Sequence, residues 1–131
     1  MTDAAGGRYF APLAKGRYLL LTTFKPKGPP VSAPVQGIVD GDRAYFRVPG
    51  QSGTARRLRH TDGVQVAPCS ARGLWSHGPP LDAAARPLDG EEAGQAAGQL
   101  ARKYPVRRRS LARLLRAARP RRLVYYELLG P

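Results

Sequence analysis

Residues 43–59, RAYFRVPGQSGTARRLR, constrain the fold more than any other part of the chain, because they join two backbone periodicities through a breaker. Ala44, Phe46 and Val48 alternate with Arg43, Tyr45 and Arg47, the two-residue period of a strand that buries one face. Pro49 and Gly50 interrupt that period, and Ser52 can cap the basic helix that follows. On this reading Arg47 points at the turn and Gly53 lets a ligand approach the backbone. The unsatisfied N–H groups of the first helical turn attract negative charge, and Arg56, Arg57 and Arg59 stand close by. The layout suits a phosphate or carboxylate cradle. A surface helix with solvated arginines has the same composition, and both readings stand at this point.

The flanking sequence reads as further strands joined by turns. Residues 9–14 suit a short leading helix that Gly16 ends. RYLLLTTF at 17–24 is rich in β-formers, KPKGPP at 25–30 opposes regular structure, and 31–39 returns as a second strand. Asp40, Gly41 and Asp42 make a tight turn into the 43–48 strand, so an antiparallel meander is expected. Strands follow at 64–69 and 81–88, separated by the loop SARGLWSHGPP, whose Trp75 packs or lines a pocket.

Helices gather late. Asp89 with Glu92 three residues on has the capping-box spacing, and Ala93, Ala96, Ala97, Leu100 and Tyr104 recur on one helical face, weakened by Gly94 and Gly98. Residues 106–119 place Leu111, Leu114, Leu115 and Ala118 on one stripe and Arg109, Arg113 and Arg116 on another, before Pro120. RRLVYYELL at 121–129 alternates as a closing strand. One domain over 1–131 is expected, mainly β, a small antiparallel barrel with helices packed around it.

The net charge of +13 is a local feature. Residues 93–126 hold ten basic side chains and no acid, whereas the remainder carries twelve basic and nine acidic residues, or +3. Such a segment suits a polyanion, an acidic small molecule or an anionic surface. Arginine outnumbers lysine by 18 to 4, as a GC-rich coding sequence also produces, and no nucleic-acid-binding motif is present, which leaves nucleic acid as a third-choice partner. Cys69, alone and within VQVAPC, reads as a packed thiol, and His60 and His77 lack partners at metal-ligand spacing. No basic start leads into an apolar stretch and no run approaches the ~20 apolar residues of a spanning helix, so a cytoplasmic protein without membrane insertion is expected.

The succession YLLLTTF, SAPV, RAYFRV, SGTARRLR, VQVAPC and RKY, spread over residues 9–130, resembles the pyridoxamine 5′-phosphate oxidase-like split-barrel proteins. The likeness is strongest to the branch that uses the deazaflavin coenzyme F420. The resemblance implies a six-stranded antiparallel split β-barrel, a homodimer with the cofactor in a groove between subunits, and an F420-dependent oxidoreductase, with FMN as the alternative cofactor. Hydride transfer to or from a small-molecule substrate needs alignment in a water-poor site and no protein nucleophile, so no catalytic side chain is assigned. The alternative is a barrel that binds a cofactor or ligand without turnover.

Matched residue by residue, Pro34 and Val35 fall on the strand beside the deazaflavin ring, and Arg47 near the cofactor phosphate. Ser52 and Gly53 open the phosphate turn, and Arg57 matches the arginine after it. Lys103 and Tyr104 match a Lys-Tyr pair of structural or interfacial character. The chain departs from the family pattern at Gln36, where an aromatic residue is common, at Val48, where Thr or Ser is usual, and at Thr54, where a phosphate-binding lysine is usual. Thr54 keeps a hydroxyl and a first-turn N–H, while Arg47, Arg56 and Arg57 keep the charge. The resemblance thus gives a cofactor set of Pro34, Val35, Gln36, Arg47, Val48, Ser52, Gly53, Thr54, Arg56 and Arg57, with the basic 102–122 segment suited to an oligoglutamate tail.

Overall fold

In the computed structural model, residues 9–70, 78–105 and 122–131 are described. The loop around Trp75, the helix expected at 106–119 and its arginine face lie outside them. Every strand expected from alternation forms: β1 (Tyr18–Thr23), β2 (Val31–Asp40), β3 (Arg43–Pro49), β4 (Gly63–Cys69), β5 (Leu81–Pro87) and β6 (Leu123–Leu129). The basic stretch after Ser52 is helix α1 (Gly53–Leu58), and the alanine-rich stretch is helix α2 (Gly90–Lys103). The leading helix is a 3-10 helix at Ala11–Lys15, displaced from the expected 9–14. Five residues with Pro12 near the start supply too few bonds to close α-helical turns.

The six strands close into an antiparallel barrel in the order β1-β2-β3-β6-β5-β4. The meander is as expected, with Leu19 opposite Val35 and Gln36 opposite Arg47, and Gly41 takes the left-handed φ of 61° that the β2–β3 turn requires. β4 then crosses to the free side of β1, and β6 returns to pair with both β3 and β5, which closes the sheet and leaves no edge among these strands. Alternation decides what fills the barrel. Leu19, Leu21, Val35, Ala44, Phe46, Val48, Val64, Val66, Tyr126 and Leu128 face inward and are buried. Phe46 stacks on Tyr126 at 4.9 Å between centroids. Cys69 is fully buried and burial pushes its thiol upward, as suits a packed side chain.

Helix α2 packs Ala96 and Leu100 against the barrel and keeps Gly94 and Gly98 on its exposed side. The expected capping box does not form. Asp89 occupies the N-cap position without a side-chain bond, and Glu92 instead receives Arg86 Nη2 at 2.9 Å and Nη1 at 3.3 Å. Arg86 on β5 also donates to the buried Glu127 of β6 at 2.6 Å. A strand guanidinium that already has to neutralise Glu127 outcompetes a helix N-terminal amide for Glu92, and so ties α2 to the sheet. None of the described helices is long and apolar enough to cross a membrane.

Candidate cofactor site

The turn from β3 into α1 is built as its sequence suggests. Ser52 Oγ accepts the Ala55 N–H at 3.2 Å and donates to the Pro49 carbonyl at 2.6 Å, which fixes the turn and caps the helix. Arg57, one helical turn on, folds back over Gly53. A Cβ at Gly53 would stand 2.8 Å from Arg57 Nη1, so the glycine admits this chain's own guanidinium. Arg57 Nε donates to Thr23 Oγ1 at 2.5 Å and Nη2 reaches Thr54 Oγ1 at a long 3.5 Å. Thr23, at the inward end of β1, is 1% exposed and completes the brace by reaching the Val31 carbonyl at 3.5 Å. Positive charge therefore sits over the first turn of α1, although Thr54 itself is buried beneath it.

Arg47 does not point at the turn. Its Nε donates to Gln36 Oε1 at 2.7 Å across the β2–β3 pair, so both side chains lie on the outer face of the sheet, with Pro34 on the same side of β2. The side chains of Val35 and Val48 face the opposite way, into the core. The outer face thus gathers Pro34, Gln36 and Arg47, and the turn gathers Ser52, Gly53, Thr54, Arg56 and Arg57. Val35 and Val48 are within reach of a ligand only through their backbone. Among the described residues the ion pairs are Arg43–Glu127, Arg86–Glu92 and Arg86–Glu127, so Arg47, Arg56, Arg57 and Arg59 have no carboxylate partner there.

Two features escaped the sequence reading. A cleft of about 1150 Å³ opens beside the turn between Pro49–Ser52, Arg59, the start of α2 and the 122–125 entry to β6. Arg59 Nη2 donates to the Gly50 carbonyl at 3.3 Å, and the Gly50 N–H to the Arg122 carbonyl at 2.8 Å, so the β3–α1 turn and the entry to β6 together shape this mouth. Thr23 also went unnoticed. It occupies an inward position of β1, and a hydroxyl at a core register is itself a signal that a polar partner comes to meet it.

At the other end of β1, Lys103 and Tyr104, expected to be structural or interfacial, bind strand backbone. Tyr104 Oη accepts the Gly37 N–H at 3.1 Å and contacts the Gly37 and Arg17 carbonyls, while Lys103 Nζ donates to the Gly37 carbonyl at 2.7 Å. The pair satisfies β2 backbone beyond the start of β1. Burial raises the titration of Tyr104 and Tyr126 above the ordinary tyrosine range. Unfolded tyrosines ionise first, near pH ~10, so the stability these two contribute is intact below that pH and lost as pH rises through their folded values. Lys103, pushed down by burial and by the Arg17 charge, acts in the opposite sense between its lowered value and ~10.4. Urea unfolding from pH 8 to 11 should show stability declining above pH ~10, and Tyr104→Phe should flatten the decline.

No family model and no curated protein matches the chain. Solved structures do. A candidate pyridoxamine 5′-phosphate oxidase from Listeria innocua superposes with a TM-score of 0.62 at 14% identity, over 95% of this chain and 91% of that one. HutZ, the haem storage protein from Vibrio cholerae, gives 0.61 at 15%, over 88% and 82%. A haem-binding protein from Mycobacterium smegmatis gives 0.63 at 16%, over 95% of this chain, which spans 50% of that protein. At such identities the likeness is one of fold. Strand order, register and these neighbours together give the chain the split-barrel fold of the pyridoxamine 5′-phosphate oxidase-like proteins.

Proposed function

We propose that the protein binds a flavin-type cofactor, F420 or FMN, with its phosphate at the β3–α1 turn and its ring along the outer face of β2 and β3, and that it is an oxidoreductase acting on a small molecule. The carrying observation is that Arg56 and Arg59 line the surface beside Ser52 and Arg57 folds over Gly53, none of them with a carboxylate partner among the described residues. Like charges gathered this way repel one another, and a phosphate relieves that repulsion with charge-assisted hydrogen bonds. The residues present fit such a group even without the family's lysine, because Arg57 lies over the turn that opens on Gly53.

When bound, the flavin or deazaflavin ring supplies the hydride chemistry. The chain's own side chains bind and orient. Thr23 holds the Arg57 guanidinium in place, so that little side-chain freedom is lost on binding. Gln36, with Oε1 taken by Arg47, keeps its Nε2 protons for an acceptor on the outer face. In this reading a second copy of the chain covers the face and excludes water, and the basic 102–122 segment favours a polyglutamate tail.

Absorbance and fluorescence titration with F420 and with FMN is the test. Saturable binding of at least one, at one cofactor per chain and weakened by competing inorganic phosphate, is expected. Turnover of reduced cofactor with an electron acceptor separates an enzyme from a binding barrel. Failure of both cofactors to bind overturns the proposal, and salt-sensitive RNA binding in their place moves the assignment to a polyanion.

A further inference from the structure

A second group of cations lies at the opposite end of β1 from the arginine turn. Arg17 Cζ stands 5.0 Å and Lys103 Nζ 5.2 Å from the centre of the Tyr104 ring. Tyr104 is also influenced by the Arg47 charge, and Arg47 is bonded to Gln36, the neighbour of the Gly37 that Tyr104 and Lys103 grip. Arg17 and Lys103 therefore lie against the same ring. No carboxylate answers them among the described residues. The nine acids of the chain are Asp3 and eight described ones. Asp40 is bonded to Gln99, Asp82 to Gln65, and Glu92 and Glu127 to Arg86. The remaining four sit in the β2–β3 and α1–β4 turns and around the start of α2.

Attraction to the tyrosine ring accounts for one cation at a time and leaves the repulsion between two. Lys103 registers that repulsion, since its ammonium is disfavoured by burial and then by Arg17. One of its three N–H donors goes to the Gly37 carbonyl and two stay available, while Arg17 is exposed and offers a planar fork. Tyr18, whose ring lies 5.4 Å from Tyr104, gives the patch an apolar side.

We propose that Arg17 and Lys103, gathered on Tyr104, form an oxyanion site that holds the carboxylate or phosphate group of a small ligand. It is separate from the arginine turn, because Arg17 precedes β1 and Thr23 ends it, roughly 20 Å apart at about 3.3 Å per residue. The anion site stands on its own residues. Its use for an acidic substrate of the flavin-type chemistry rests on the function proposed above, and it then restricts the substrate class to small acids or phosphate esters.

The test uses the full chain without cofactor, titrated at low ionic strength with acetate, with inorganic phosphate and with chloride, and followed by NMR shifts. Acetate or phosphate is expected to bind more tightly than chloride, and the tighter of the two identifies the ligand's acidic group. Arg17→Gln should weaken that binding roughly tenfold to a hundredfold, the loss of a charge-assisted contact. Arg17 is exposed, so this variant does not threaten the fold. Lys103→Arg keeps a donor and should bind within about threefold of wild type. Wild-type affinity in Arg17→Gln, or equal binding of chloride, overturns the site. Loss of binding in Arg57→Gln alone places the anion at the arginine turn, which overturns this inference while supporting the cofactor reading.

Discussion

Gly16→Ala is expected to lower the thermal unfolding midpoint by roughly 10 °C or more, the effect of about 3 kcal/mol in a domain of this size. The cause is space. Gly16 is extended, with φ −101° and ψ 153°, a conformation open to any residue. A Cβ there would lie 2.5 Å from the Cys69 nitrogen and 2.6 Å from its oxygen, and 2.9 Å from the Tyr18 oxygen. These are backbone atoms of β4 and β1, which are in register at Tyr18 and Cys69, so no side chain can swing aside. Relief requires prising the start of β1 from the end of β4, next to the Tyr104 grip on Arg17 and among residues packed to full burial. Gly98→Ala is the matched control. Nothing lies within 4 Å of its added methyl, and a glycine within a helix costs about 0.5–1 kcal/mol relative to alanine, so this variant should gain stability. Equal shifts in the two variants would show that the close approach at Gly16 is not a constraint on the barrel.

The strands were legible because each displays its period on the chain itself. Ala44, Phe46 and Val48 declare an inward face, and the structure buries all three. The same rule turns the side chains of Val35 and Val48 inward, where both are part of the barrel filling, so either residue can meet a ligand only through its backbone. Ser52 as a cap was legible for a similar reason, since its bonds reach only three residues either way. The Glu92 cap was not, because its competitor Arg86 carries a second obligation to Glu127, 41 residues away. Arg57 lies between these cases. Its charge and its place after Ser-Gly were visible, but its brace on Thr23 joins residues 34 apart that only barrel closure brings together. The cleft beside the turn was invisible for the same reason, as it is assembled from four separate chain segments.

Arg57→Ala should weaken binding of F420 or FMN by roughly ten- to a hundredfold, the loss of charge-assisted hydrogen bonds of about 1.5–3 kcal/mol to a phosphate. Two further consequences separate this role from a purely structural one. Thr23 Oγ1, in a residue 1% exposed, loses its short bond and keeps a 3.5 Å contact to the Val31 carbonyl, so a stability loss of about 1 kcal/mol is expected in the absence of any ligand. The affinity loss should shrink as salt rises, while the stability loss should not. Thr54→Lys probes the same charge from the position where the split-barrel proteins that the sequence resembles usually carry a lysine. Thr54 is 8% exposed and faces Arg57, so the new ammonium can reach an anion only by displacing that guanidinium. It should therefore gain little in the wild-type background and restore about tenfold in affinity when combined with Arg57→Ala, where the space is free. Calorimetric titration of the four proteins closes the cycle. Wild-type affinity in Arg57→Ala together with the expected stability loss would leave Arg57 as a brace for β1 and remove the turn as the phosphate site.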